Sequence, residues 1–378
     1  MPHQPSLFPA DGDDPPLARG DAAGALAERY TRLRPIAAAL PPGVRFGTSS
    51  WSFPGWKGLV YSGKHTSTQL ARDGLREYAQ HPLLTTVGVD RSYYARVPDE
   101  DFRRYADQLP DGFPCCCKAP ARVTSALKPE RGSTEPNPDF LSAERFIDDL
   151  LEPVGRVFRA HAGPFILQFP PLLRTSTRTY GHDRARVACG ARSARSPEGT
   201  SPPPRLCIEG LRRSGLDRAV FIDGLDRFLG RLPRDFQYAV EVRDRTLLGP
   251  DYAQVLSRHG AAHVYNAWTA MPLPGEQATH VPLDAMPFVM VRLLLRPGAT
   301  YEKQREAFAP FARLVAPDEA MRDQVVDLVG RAVARAIPAY VLVNNKAEGS
   351  SPLTIEGLAV RLMAQGSWLQ AQRHAPEP

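Results

Sequence analysis

The sequence predicts a single-domain α/β protein, a (β/α)8 TIM barrel. Eight short runs rich in β-branched and aromatic residues recur along the chain, and amphipathic helical patterns separate most of them. Val44 to Asn345 spans 302 residues. Without a low-complexity stretch at 174–217, that length comes close to the ~250 residues typical of such a barrel. A doubly wound open sheet, the alternative, would carry a Gly-rich phosphate loop after its first strand, and "GTSSWSFPGW" contains no GxGxxG.

Residues 1–22 are rich in Pro and Asp and predict a disordered tail, followed by a helix from about Ala25 to Leu40. The barrel domain is expected over 23–365, with a second disordered tail over 366–378. The first strand is "VRFGTSSW" (44–51). The helical "TQLARDGLREYAQH" leads to the second, "LTTVGVDRSYY" (84–94), and "DEDFRRYADQLP" leads to the third, "FPCCCKAP" (113–120). A long amphipathic run, "NPDFLSAERFIDDLLEPVGRVF", precedes the fourth, "GPFILQFP" (163–170). The stretch 174–217, rich in Pro, Gly, Ser, Ala and Arg, then reads as a flexible basic insertion. "IDGLDRFLGRLP" precedes the fifth strand, "FQYAVEVRD" (236–244), and "DYAQVLSRHG" precedes the sixth, "AAHVYNAW" (261–268). The seventh is "PFVMVRLLL" (287–295); "PDEAMRDQVVDLVGRAVARA" then leads to the eighth, "AYVLVNN" (339–345).

Charge and composition narrow the class. The chain has 378 residues, 43% hydrophobic and 23% charged, with a net charge of +6. The insertion supplies +5 of that charge, so the body is nearly neutral and gives little support to a nucleic-acid surface. No apolar run reaches the ~18–20 residues of a membrane helix, and the N-terminus lacks a basic region followed by an apolar one. The cytoplasm is the expected location. Of five cysteines, three are consecutive and none forms a CxxC, which points to free thiols in a reducing compartment.

Barrels of this kind carry function where strands end. The first strand ends in Trp51; the second in Asp90, Arg91, Tyr93 and Tyr94; the third in Lys118; and the fourth in Gln168. The fifth ends in Glu241 and Arg243, and the sixth in Asn266 and Trp268. The seventh carries Arg292, and the eighth ends in Asn344, Asn345, Lys346 and Glu348. Lys118, Glu241 and Asp90 are the catalytic candidates, because a desolvated lysine and carboxylates can exchange protons. Trp51, Arg91, Tyr94, Gln168, Arg243, Asn266, Arg292, Asn344, Asn345, Lys346 and Glu348 are the ligand-binding candidates. Five cations against three carboxylates favour an anionic or oxygen-rich ligand, phosphorylated or related to nucleic acid. The aromatic rings suit sugars or bases. Only His263 among nine histidines lies in a strand, which disfavours a histidine zinc site; carboxylates with amides leave Mg²⁺ or Mn²⁺ open. The sequence carries no GxSxG, no P-loop and no cofactor fingerprint.

Six segments in order, "FGTSSWSFPGWKGLVYS", "VGVDRSYY", "PCCCKAP", "LQFPP", "YAVEVRDRTLL" and "VNNKAEGSSPLTI", resemble the domain-of-unknown-function 72, or YecE-like, family. The resemblance runs from about Phe46 to Leu362 and implies a TIM barrel with no established activity. Many members look like "VEINSTFY" at the second strand. Here the position of their Glu is Gly88 and that of their Asn is Asp90, so the carboxylate is displaced two positions along one strand face. In the tail, Gln4, Leu7 and Phe8 of "QPSLF" are similar to the QxxLF peptide that docks on the bacterial sliding clamp, which adds the clamp as a candidate partner beside the plainer reading of a chance Leu-Phe pair.

Overall fold

The structure, a computed structural model, describes residues 22–130, 133, 135–171, 216–296 and 298–366. Eight parallel strands form the expected barrel: β1 (Val44–Thr48), β2 (Thr86–Val89), β3 (Cys115–Cys117), β4 (Phe165–Phe169), β5 (Tyr238–Val242), β6 (Ala262–Ala267), β7 (Val289–Leu293) and β8 (Ala339–Val343). Neighbours follow the order β3-β2-β1-β8-β7-β6-β5-β4. β3 and β4 close the ring through two isolated bridges, Cys115 with Ala162 and Lys118 with Ile166, carried by the Gly163 N–H on Cys115 O and the Ala119 N–H on Ile166 O. That seam is thinner than any other strand pair.

Strands β2 to β8 are buried along their whole length. Helices cover their outer faces, which explains the apolar runs where a one-sided sheet would alternate. The helix Glu319–Ala334 buries Met321, Val325, Val326, Leu328 and Val329, and Ser351–Gln365 buries Ile355, Leu358 and Leu362. Ala22–Ala39 packs on the latter, joined by the ion pair of Arg29 with Glu356 at 2.5 Å. Asp217 accepts hydrogen bonds from the N–H groups of Ala219 and Val220 and so caps Arg218–Gly230, while Leu216 is buried. The last two residues of the basic stretch, 216 and 217, thus belong to the barrel; the rest of it, 174–215, lies between β4 and β5 outside the described residues.

Partners in a parallel ladder share a face, so the register separates inside from outside. Gly47 pairs Leu342, Leu342 pairs Arg292, Arg292 pairs Asn266, and Gln168 pairs Glu241. Arg292 reaches Glu241 past the intervening β6, which makes this the barrel interior. The inner face at β1 and β2 is crowded. A Cβ on Gly47 would stand 2.1 Å from Thr86 O, and one on Gly88 would stand 2.7 Å from Ser49 O. Only glycine allows these strands to approach so closely.

The second strand is shorter than the sequence predicts. It stops at Val89, and Arg91–Tyr94 form a helical turn, with the Ser92 hydroxyl donating to Val89 O and Lys118 O. That turn sends Arg91 away from Asp90, toward Asp101, and leaves Tyr93 and Tyr94 at the mouth beside Lys118. No helix among the described residues is long and apolar enough to cross a membrane.

Candidate functional site

The strand ends of β2, β3, β4, β5 and β7 bring five charged side chains and one side-chain amide together at the C-terminal mouth. Glu241, fully buried, accepts from Arg243 Nε at 2.8 Å and is ion-paired with Arg292. Gln168 Oε1 accepts from Arg243 Nη2 at 2.7 Å and lies 3.5 Å from Arg292 Nη1. Asp90 stands 3.7 Å from Arg292 Nη2 and 3.8 Å from Lys118 Nζ, and its side chain is 30% exposed. Arg292 thus bridges two carboxylates.

Aromatic faces fix the cations. Lys118 Nζ lies 4.1 Å from the Tyr93 ring centroid, and the Arg243 guanidinium lies 3.8 Å from that of Trp268. Tyr94 packs edge-on against Tyr93, 56% exposed at the rim. On the neighbouring rim, Lys346 Nζ sits 4.2 Å from the Tyr301 ring centroid and 3.5 Å from Asn344 Oδ1.

These surroundings move the protons. Burial lowers the pKa of Lys118 to about 8; Asp90 opposes the shift, and Arg292 and Arg243 add to it. Burial alone would raise the Glu241 carboxyl, but Arg292 and Arg243 outweigh it and hold the group at about 2. Burial, reinforced by Arg305, lowers Lys346 to about 8. The cluster therefore holds a permanent carboxylate and two amines that titrate within reach of neutrality.

At the mouth an arginine stands between the carboxylates. No group of three or more His, Cys, Asp or Glu that could hold a metal occurs among the described residues, and Arg292 occupies the position between Glu241 and Asp90 that a bridging metal would take.

The family model described as "Protein of unknown function DUF72" matches residues 45–184 and 214–378. The chain belongs to the DUF72 family. A DUF72 family protein from Thermotoga maritima is 18% identical in sequence, covers 85% of this chain and 98% of its own, and superposes with a TM-score of 0.50. One from Enterococcus faecalis is 16% identical, covers 84% and 95%, and also gives 0.50. Both similarities concern the fold. No curated protein matches the chain.

Within this DUF72 barrel, the other sequence candidates lie elsewhere. Trp51 is packed away, its Nε1 donating to Leu70 O at 2.8 Å and its ring edge-on to Tyr105. Arg91 leaves the mouth to pair with Asp101 at 2.7 Å and to donate to the Tyr105 hydroxyl. Asn266 is buried on the inner face, where its Nδ2 donates to Val242 O at 3.0 Å. Asn345 points outward, and its Oδ1 accepts from Trp56 Nε1, Ser351 N and Ser351 Oγ at 3.1, 2.8 and 2.9 Å. Glu348 is fully buried behind β8, where it accepts from Asp318 N at 2.6 Å and from Arg322 Nη2 at 2.7 Å. Asn345 and Glu348 therefore tie the barrel to its outer helices. Gln4, Leu7 and Phe8 lie outside the described residues.

Tyr301, Arg305 and Arg322 were missed from sequence. All three belong to helices after β7, where an amphipathic pattern does not show which polar residue turns toward a strand end.

Proposed function

We propose that the barrel mouth binds a small anionic, oxygen-rich ligand and that Lys118 exchanges a proton with it. One observation carries this reading: Lys118, 6% exposed, makes no side-chain hydrogen bond among the described residues, and the carboxylate nearest it is Asp90 at 3.8 Å. An ammonium in that setting has three unused donors, and a ligand oxygen would fill them better than any neighbour does. Its lowered pKa suits proton transfer near neutral pH.

Glu241 takes a different part. Two guanidiniums keep it ionised far below neutrality, so it is a poor proton carrier and serves to hold Arg292 and Arg243 facing the ligand. Asp90, partly exposed between Lys118 and Arg292, is the carboxylate able to meet the ligand. Gly88 fits this assignment, because Ser49 O leaves no room for a side chain there.

The test is a thermal-shift screen of phosphosugars, nucleotides and organic carboxylates against the full chain and Lys118→Met. An anion that stabilises the wild type and has lost its effect on the variant supports the reading. Equal stabilisation of both proteins, or turnover of any ligand found that survives the substitution, removes it.

A further inference from the structure

Lys346 is a buried ammonium whose surroundings suit an anion. It is 4% exposed, and its ammonium faces the ring of Tyr301 at 4.2 Å and that of Phe311 at 5.7 Å. Its one side-chain hydrogen-bond neighbour among the described residues is Asn344 Oδ1 at 3.5 Å, too far for a strong bond. No carboxylate lies within ion-pair distance of it among the described residues, whereas every buried arginine of the barrel has one. Arg305 adds a second positive charge nearby, which lowers the amine further, and Asp90, beyond ion-pair distance, opposes the shift without cancelling it. A buried ammonium beside an arginine is unfavourable unless something negative joins them.

The placement is informative as well. Tyr301 and Arg305 lie on the helix that follows β7, and Lys346 follows β8. Loops after the seventh and eighth strands are where barrels of this shape bind phosphate. Around the rim, β2 with Asp90 and then β1 lie between β3 with Lys118 and β8 with Lys346, so the two amines stand on either side of that carboxylate.

We infer that Lys346, with Tyr301 and Arg305, holds a phosphate group, and that the ligand is a phosphomonoester whose oxygen-rich far end reaches Lys118. The inference rests on the proposal that the mouth binds an anion and divides that mouth in two. A phosphate on Lys346 would neutralise both local cations and accept from their N–H groups. The far end, carrying hydroxyls or a carbonyl, would lie among Lys118, Asp90 and Gln168, where proton transfer is available.

The experiment uses inorganic phosphate as the probe, titrated into the full chain and followed by the phosphorus NMR line, with acetate as a separate, non-phosphorylated probe. Lys346→Met should weaken phosphate binding by roughly tenfold or more. Lys346→Arg should restore most of it and shows that the site remains folded. Arg91→Ala, away from the mouth, should leave phosphate binding within about twofold, and Lys118→Met should weaken it less than Lys346→Met does. If Lys118→Met abolishes phosphate binding and Lys346→Met does not, or if both do so equally, the second subsite is refuted. If the wild type binds no phosphate, the subsite is also refuted. Acetate binding that depends on Lys118 would then leave the first proposal standing, and its absence would remove both.

Discussion

Glu241 and Glu348 are both fully buried and both held by arginine, yet their surroundings differ in kind. Glu348 sits in a closed clamp: Arg322 approaches it through Nε at 2.9 and 3.1 Å and Nη2 at 2.7 Å, and the Asp318 N–H supplies another donor. Its lone pairs are taken up by one loop and one helix. Glu241 anchors an open cluster. Beyond its two arginines, Arg292 Nε has no partner among the described residues, and Asp90 and Lys118 stand just outside bonding distance of their neighbours. A clamp satisfies its charges and fixes the fold. The mouth leaves them partly unsatisfied, as a site must if a ligand is to complete it.

The sharpest way to break this contrast is to empty the clamp. Glu348→Ala strands a buried guanidinium and should lower stability by about 3–5 kcal/mol in denaturant unfolding. The folded fraction should bind ligand as before. A small loss of stability, or a large loss of affinity, would show that Glu348 belongs with the mouth after all.

Gly88→Ala strikes the floor of the mouth. The added Cβ meets Ser49 O at 2.7 Å, so β1 and β2 must part. We expect about 1–3 kcal/mol of destabilisation, measured by the same unfolding, together with weakened ligand binding because Asp90 lies two residues on. A neutral result would mean that the strands separate freely.

Protons provide a finer probe. The folded pKa of Lys118 is lowered from 10.5 to about 8, so between those values the unfolded chain binds more protons and stability rises with pH. Lys346 carries the same shift. Lys118→Met should therefore reduce the rise in stability between pH 8 and 10 by roughly half, a difference of order 1–2 kcal/mol. Glu241 acts in the opposite limb: its folded pKa is depressed, so its contribution is present above about 4.5 and is lost as pH falls toward 2. Unfolding midpoints across pH read both limbs, and an unchanged slope in Lys118→Met would place that lysine in water.

At the small end, Arg91→Ala removes a half-exposed pair with Asp101 and should cost less than about 1 kcal/mol, with ligand affinity unaltered. A marked loss of affinity would bring Arg91 back to the mouth.

Sequence carried much of this arrangement and missed a definable part. The strands were legible from their β-rich composition and the helices between them. Lys118, Gln168, Glu241, Arg243 and Arg292 were legible because polar residues inside otherwise apolar strands stand out. Asn344 and Asn345 were not separable: period two puts them on opposite faces, and only the pairing of Leu342 with Arg292 shows that Asn344 belongs with the interior. Glu348 looked like a site residue because its partner, Arg322, is 26 residues away on a helix whose polar positions resemble any solvated face. Arg91 and Trp51 were misplaced for a related reason: past the last strand residue, a turn and not the pleat decides where a side chain goes.

The seam between β3 and β4 gives the mouth a mechanical side. Lys118 ends one bank of that seam and Gln168 ends the other, and the two strands are joined there by isolated bridges only. A molecule held by both side chains would span the gap as a rivet spans two plates. Its grip and the closure of the ring would then be one quantity, and slowed amide exchange at Ala119 and Gly163 would register occupancy of the mouth.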